Sequence, residues 1–228
     1  MKLLAIDTAA EACSAALYLD GEIRSRFVHA PRRHGELILP MMDELLRDAG
    51  LVPGQLDALA FGRGPGAFTG VRIATGVVQG VAFAADLPVV PVSNLAALAQ
   101  RTFREGGHRR ILAAFDARMG EVYWGAYEIG DSGFAEAVGA EQIEAPERVE
   151  VPPGDGWQGA GSGWGTYPDV LRERVGPVLV GVTPDLVCHA HDVALLGAEG
   201  FAAGRAVASE QALPVYLRDR VAWAKPGA

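Results

Sequence analysis

Leu3-Leu4-Ala5-Ile6-Asp7-Thr8-Ala9 decides the reading of this chain, because its pattern recurs. Aligning Asp7 with Asp116 sets Leu4-Ala5-Ile6-Asp7-Thr8-Ala9 over Ala113-Ala114-Phe115-Asp116-Ala117-Arg118, and Cys13–Tyr18 then falls on Val122–Tyr127. Each copy is an apolar run of strand length closed by an acid, then a short turn and a second strand-like run. A repeat of about 109 residues implies two similar lobes.

Outward from the first copy, residues 13–19 and 22–28 are joined by Asp20-Gly21, a strong hairpin signal. His34–Ala49 reads as a helix whose apolar positions, from Leu37 to Ala49, cover an arc of about 200°, where one buried stripe needs about 100°. Pro40 is expected to kink its first turns or mark its true start. Leu56–Phe61 reads as a strand, followed by the glycine-rich Gly62–Gly70 and a helix to about Ala85. Pro88–Val92 is a further strand, and Asn94 is placed to cap a helix to about Glu105. Gly106-Gly107 then breaks the chain, giving lobes of residues 1–105 and 106–228. The second lobe is less regular. Its middle, 141–163, is rich in Gly and Pro, and Val187–Ala203 reads as its helix. Two β-β-β-α-β-α lobes, the second shortened, with an acid after each first strand, describe an α/β protein of the actin-like ATPase (ribonuclease H-like) fold.

The chain has 228 residues, 50% of them hydrophobic and 21% charged, enough to bury a core and too apolar for disorder. Two cysteines make neither a disulfide framework nor a zinc site. A net charge of −8 without a basic stripe disfavours a chain that grips nucleic acid alone. Met1–Asp7 reaches an acid within seven residues, without a signal peptide's basic region followed by a long apolar stretch, and the near-apolar run Ile73–Ala85 is too short to cross a bilayer. A cytoplasmic protein without a membrane anchor is expected.

Several residue sets qualify as sites. Gly64, Gly66 and Thr69 sit where a strand turns into a helix, whose N-terminus attracts anions and which Thr69 is placed to cap. The plain alternative is a tight turn that needs positive φ, at Gly66 in particular. The loop lacks the Lys-Ser/Thr pair of a P-loop. Asp7 and Asp116 occupy positions where an actin-like ATPase holds Mg²⁺ or polarises water, or where a carboxylate closes a turn. The five histidines have no metal-binding spacing, so neither catalytic residue nor metal is assigned. On the second helix, Arg72, Thr75 and Gln79 alone break the apolar surface, and Gly76, Gly80 and Ala84 recur every four residues. With Leu37, Met41 and Leu45 on the first helix, and Arg72 beside the stripe, these mark a helical partner interface.

Four segments carry a family resemblance: Leu3–Ala9 with Glu11-Ala12-Cys13-Ser14; Gly62-Arg63-Gly64-Pro65-Gly66-Ala67-Phe68-Thr69-Gly70-Val71-Arg72-Ile73; Asp116-Ala117-Arg118-Met119-Gly120-Glu121-Val122-Tyr123-Trp124; and Pro214–Asp219. Together they resemble the bacterial TsaB family over nearly the whole chain, least from about Ile129 to Trp157. The resemblance implies the shortened actin-like fold. It also implies a non-catalytic scaffold role in making threonylcarbamoyladenosine beside the anticodon of tRNAs that read ANN codons. It further implies pairing with the catalytic paralogue TsaD, or with itself, through the helices of the first lobe. TsaE would complete the assembly, and tRNA would be met only through the complex. No cofactor is expected of the chain alone, with ATP or ADP held weakly or at the partner interface. The competing readings are a small-molecule kinase or ATPase of the same fold, and a metallopeptidase.

Overall fold

Strands buried on both faces read as unbroken apolar runs, and the central strands of both sheets of this protein are buried in that way. The computed structural model describes residues 1–218. Asp219 of the last motif, and the rest of the expected second lobe to residue 228, lie outside the described residues. The elements run β1 (Lys2–Asp7), β2 (Ala12–Leu19), β3 (Glu22–His29), α1 (His34–Asp48), β4 (Ala58–Gly62), α2 (Phe68–Ala85), β5 (Val89–Val92) and α3 (Asn94–Gly106). They continue as β6 (Arg110–Arg118), β7 (Glu121–Ile129), β8 (Ala135–Ala137), β9 (Gln142–Glu144), β10 (Trp157–Ala160), α4 (Ser162–Thr166), α5 (Pro168–Val175), β11 (Leu179–Thr183) and α6 (Ala190–Ala202).

The first sheet has the order β3-β2-β1-β4-β5 and the second β8-β7-β6-β10-β11, the same plan twice. In each, the first strand is antiparallel to the second and parallel to the fourth. This is the actin-like fold. The second sheet lacks a counterpart of α1; short β9, paired to β7, fills that stretch instead. The β2–β3 turn has left-handed Asp20 (φ 48°) and Gly21 (φ 103°), the geometry that a two-residue hairpin requires.

Alternate residues of each strand serve different helices. Leu4 and Ile6 of β1 pack under α1 and α2, whereas Leu3 and Ala5 pack under α6. The α6 side is lined with Ala5, Ala16, Ala58 and Ala60, so that helix lies close. A Cβ on its Gly197 would stand 2.6 Å from the Ala60 methyl. The sequence assigns the helix at Val187–Ala203 to the second lobe, yet α6 lies on the first sheet. Conversely, α3 packs on β6, β7 and β8 of the second. Arg104 of α3 donates two 2.9 Å hydrogen bonds to the buried carboxylate of Asp192 on α6, joining the two helices.

Three local expectations change. Pro40 neither starts α1 nor breaks it; it lies inside the helix on the exposed side. Ser93, not Asn94, caps α3, its hydroxyl accepting from the Ala96 amide at 3.3 Å. Helix α2 extends beyond the apolar run at Ile73–Ala85: with 18 residues and a mean hydropathy of 1.3, it is long and apolar enough, by length and composition alone, to cross a membrane. One side of it packs on the first sheet, through Ala74, Val78 and Ala82.

Candidate functional site

The glycine loop is pressed onto the end of β1. Asp7 is wholly buried there. Its Oδ2 accepts from the Asn94 side-chain amide, and its Oδ1 accepts from the Ala9 backbone amide at 3.3 Å. Asn94 Oδ1 in turn accepts from the Gly64 amide at 2.7 Å, so one side chain ties the acid to the loop. Burial pushes the Asp7 carboxyl up to about 6, against the lowering effect of the Asn94 and Ala9 hydrogen bonds. Gly64 is left-handed at φ 103°. Gly66 is not: it is glycine because a Cβ would stand 2.6 Å from the Ala9 carbonyl oxygen. Thr69 is exposed and caps nothing; the helix begins after Ala67, whose amide is taken by Ala9 O at 2.8 Å. With Asp7 sealed, and the Gly64 and Ala67 amides already bonded, this loop is built as a structural joint. Asp116 accepts from the Arg118 amide and guanidinium, both at 2.8 Å, and closes the β6–β7 turn.

The raised carboxyl of Asp7 has a stability consequence. Below its ordinary 3.8 the group is protonated in both folded and unfolded chains. As pH rises to about 6 the unfolded chain loses the proton first. Stability present at low pH is therefore lost as pH climbs through that window, by about 3 kcal/mol at about 1.4 kcal/mol per unit. Asp7→Asn should lack this slope, so that the stability difference between parent and variant changes by about 3 kcal/mol between pH 4 and 6 in their denaturation curves. An identical slope in the variant would show that Asp7 does not carry it.

The interface residues divide. Met41 (7% exposed) and Leu45 (1%) belong to the core of the first lobe, and Leu37 is half-buried against it. Most of the wide apolar arc of α1 is consumed because this helix packs on both β2 and α2, with Leu39 left 51% exposed. The α1 half of the expected interface is therefore withdrawn. The α2 half is open: Arg72, Gly76, Gly80 and Ala84 are exposed, and a Cβ on either glycine would meet nothing within 4 Å. Beside them stand Phe68 (55% exposed) and Phe83 (81%), which the stripe pattern overlooks although both fall on the same helical face. Arg72 lies 3.7 Å over the Phe68 ring and donates to the Tyr216 hydroxyl at 3.0 Å. Beyond Gly80 the face opens into a groove of about 630 Å³ lined by Pro53, Val81, Ala84 and Asp86. Residues 212–218 strap this face to the second lobe. Gln79 donates to Ala212 O, the Val215 amide donates to Arg63 O, and Arg218 donates to Ala117 O and pairs with Glu121 at 2.6 Å.

A family model described as TsaD, tRNA N6-adenosine threonylcarbamoyltransferase, matches residues 28–224. The tRNA threonylcarbamoyladenosine biosynthesis protein TsaB of Escherichia coli is 44% identical over the whole chain and 99% of its own length. The chain belongs to the TsaB family. Another TsaB family member, from Haemophilus influenzae, is 40% identical over the whole chain and 98% of its length. The solved structure of YeaZ from Pseudomonas aeruginosa superimposes with a TM-score of 0.88 at 50% identity, covering 95% of this chain and 99% of that one. A further Pseudomonas aeruginosa structure, with a TM-score of 0.89, is described as similar to a peptidase. Among the described residues of this family member, no three His, Cys, Asp or Glu side chains are grouped to hold a metal.

Proposed function

We propose that this chain is the non-catalytic scaffold subunit in the formation of threonylcarbamoyladenosine on tRNA, and that it docks on TsaD through the outer face of α2. The observation that carries the docking is a long apolar helix buried on one side only, with two exposed phenylalanines and two uncovered glycines on the other. Full-length similarity to proteins named for threonylcarbamoyladenosine biosynthesis supplies the pathway. In this reading TsaE joins the TsaB–TsaD pair, the chain also pairs with itself, and tRNA is met in the cytoplasm only through the assembled complex. ATP or ADP belongs at the partner interface, since the chain's own Asp7 is buried and fully bonded. The chemistry is assigned to TsaD.

The test is co-purification with the host's TsaD and TsaE, followed by a tRNA-modification assay that omits each subunit in turn. The chain should be captured by TsaD, be required for modification, and produce none alone. Modification by the purified chain without TsaD would overturn the scaffold reading, as would phosphotransfer to a small substrate.

A further inference from the structure

We propose that Met119 is a modification site: peroxide converts its thioether to the sulfoxide, and the new oxygen tightens the hold of Arg218 on the β6–β7 turn. The chain carries four methionines. Met41 (7% exposed) and Met42 (4%) lie in the core of the first lobe, and Met1 is half-buried. Met119 is 71% exposed. It stands at the tip of the turn, left-handed itself (φ 57°) between left-handed Arg118 (φ 63°) and Gly120 (φ 82°). The two thiols, Cys13 and Cys188, are wholly buried, so neither competes for an oxidant arriving from solvent.

The sulfur already has a partner. Arg218 Nη1 donates to Met119 Sδ at 3.4 Å, and among the described residues that nitrogen has no other acceptor. Its twin, Nη2, serves the Ala117 carbonyl at 3.1 Å and the Glu121 carboxylate at 2.6 Å. A thioether is a weak acceptor, so Nη1 is poorly satisfied as it stands. In the oxidation, a sulfur lone pair attacks one oxygen of hydrogen peroxide. An S–O bond forms, the O–O bond breaks, and sulfur gives up two electrons. Both hydrogens finish on the departing oxygen, which leaves as water. The sulfoxide oxygen is a strong acceptor, and a guanidinium donating to it makes a charge-assisted bond. Arg218 anchors the strap 212–218, whose Val215 amide donates to Arg63 O and whose Tyr216 hydroxyl accepts from Arg72. A firmer grip at Arg218 therefore holds the strap, and Tyr216 with it, more closely to the body of the protein. The side chain stays at the surface throughout, so no core is opened. A methionine sulfoxide reductase restores the thioether and the looser hold.

The experiment treats the full chain with graded hydrogen peroxide and follows it by peptide mass mapping and by amide hydrogen exchange read by NMR. Met119 should gain one oxygen at a dose that leaves Met41 and Met42 less than about one-tenth oxidised. Exchange of the Val215 amide should then slow about 3-fold to 10-fold, the effect of roughly one added hydrogen bond. Met119→Leu, close in volume but without sulfur, should show no response to peroxide. Met119→Gln sets an amide oxygen near the sulfoxide position and should slow the exchange with no oxidant present. Arg218→Ala should still be oxidised at Met119 yet show no slowing. Oxidation of Met119 no earlier than of Met41 and Met42 would overturn the site. Unchanged Val215 exchange once Met119 is oxidised, or a slowing that persists in Arg218→Ala, would overturn its action on the strap.

Discussion

Gly70→Ala is expected to lower the melting temperature by roughly 6–12 °C. A Cβ at this position would overlap the carbonyl oxygen of Thr8 and stand 3.0 Å from its carbonyl carbon. The backbone there has little room to yield. The Thr8 hydroxyl donates to Gly70 O at 2.6 Å, and neighbouring Asp7 is held by Asn94 and the Ala9 amide. Overpacking costs about 1–3 kcal/mol in ordinary cores, and a clash with bonded backbone belongs at the upper end. At about 2–4 °C per kcal/mol for a chain of this size, about 3 kcal/mol gives the stated shift. Calorimetric melting of the purified variant is the measurement. An unchanged melt would mean that β1 and the start of α2 do not meet as described.

Further along the same helix the outcome should reverse. Gly80→Leu should leave the melting temperature unchanged or slightly raised, because nothing lies over that position and leucine is the better helix former by nearly ~1 kcal/mol. The damage should fall on association. Overpacking of about 1–3 kcal/mol, met twice in a symmetric dimer, weakens self-binding roughly 10-fold to 10⁴-fold. Ultracentrifugation should find folded monomers, and TsaD should no longer co-purify. A folded Gly80→Leu protein that pairs normally would leave α2 an ordinary surface helix.

The elements themselves are legible in the sequence because their signals are local. An apolar run closed by an acid, an Asp-Gly turn and a Gly-Gly break each act within a few residues. What is not legible depends on partners distant in the chain. Ser93 and Asn94 are both good caps, and periodicity cannot choose between them. The choice is made by Asp7, 87 positions away, which claims the Asn94 amide. The arc on α1 is indeed too wide for one surface, but sequence cannot say that the sheet and α2 share it, and so the pattern alone points Met41 and Leu45 outward. For Gly66, a glycine in a turn suggests positive φ, whereas the constraint is the nearness of Ala9, which no local pattern encodes. The stripe on α2 differs, because small residues spaced by four remain visible whatever covers them.

The placement of α3 and α6 makes the two halves hostages to each other during folding. Residues 1–105 alone could form the first sheet with α1 and α2, but the Leu3, Ala5 and Ala60 face would be stripped of α6 and left to water. The complementary fragment would keep α4 and α5 yet lose α3 from over Ile111, Ala113 and Phe115. Neither fragment has a finished interior, so separately expressed halves should aggregate when apart and complement each other when mixed. A nascent chain leaving the ribosome likewise cannot complete its first lobe until α6, which ends at Ala202, has emerged.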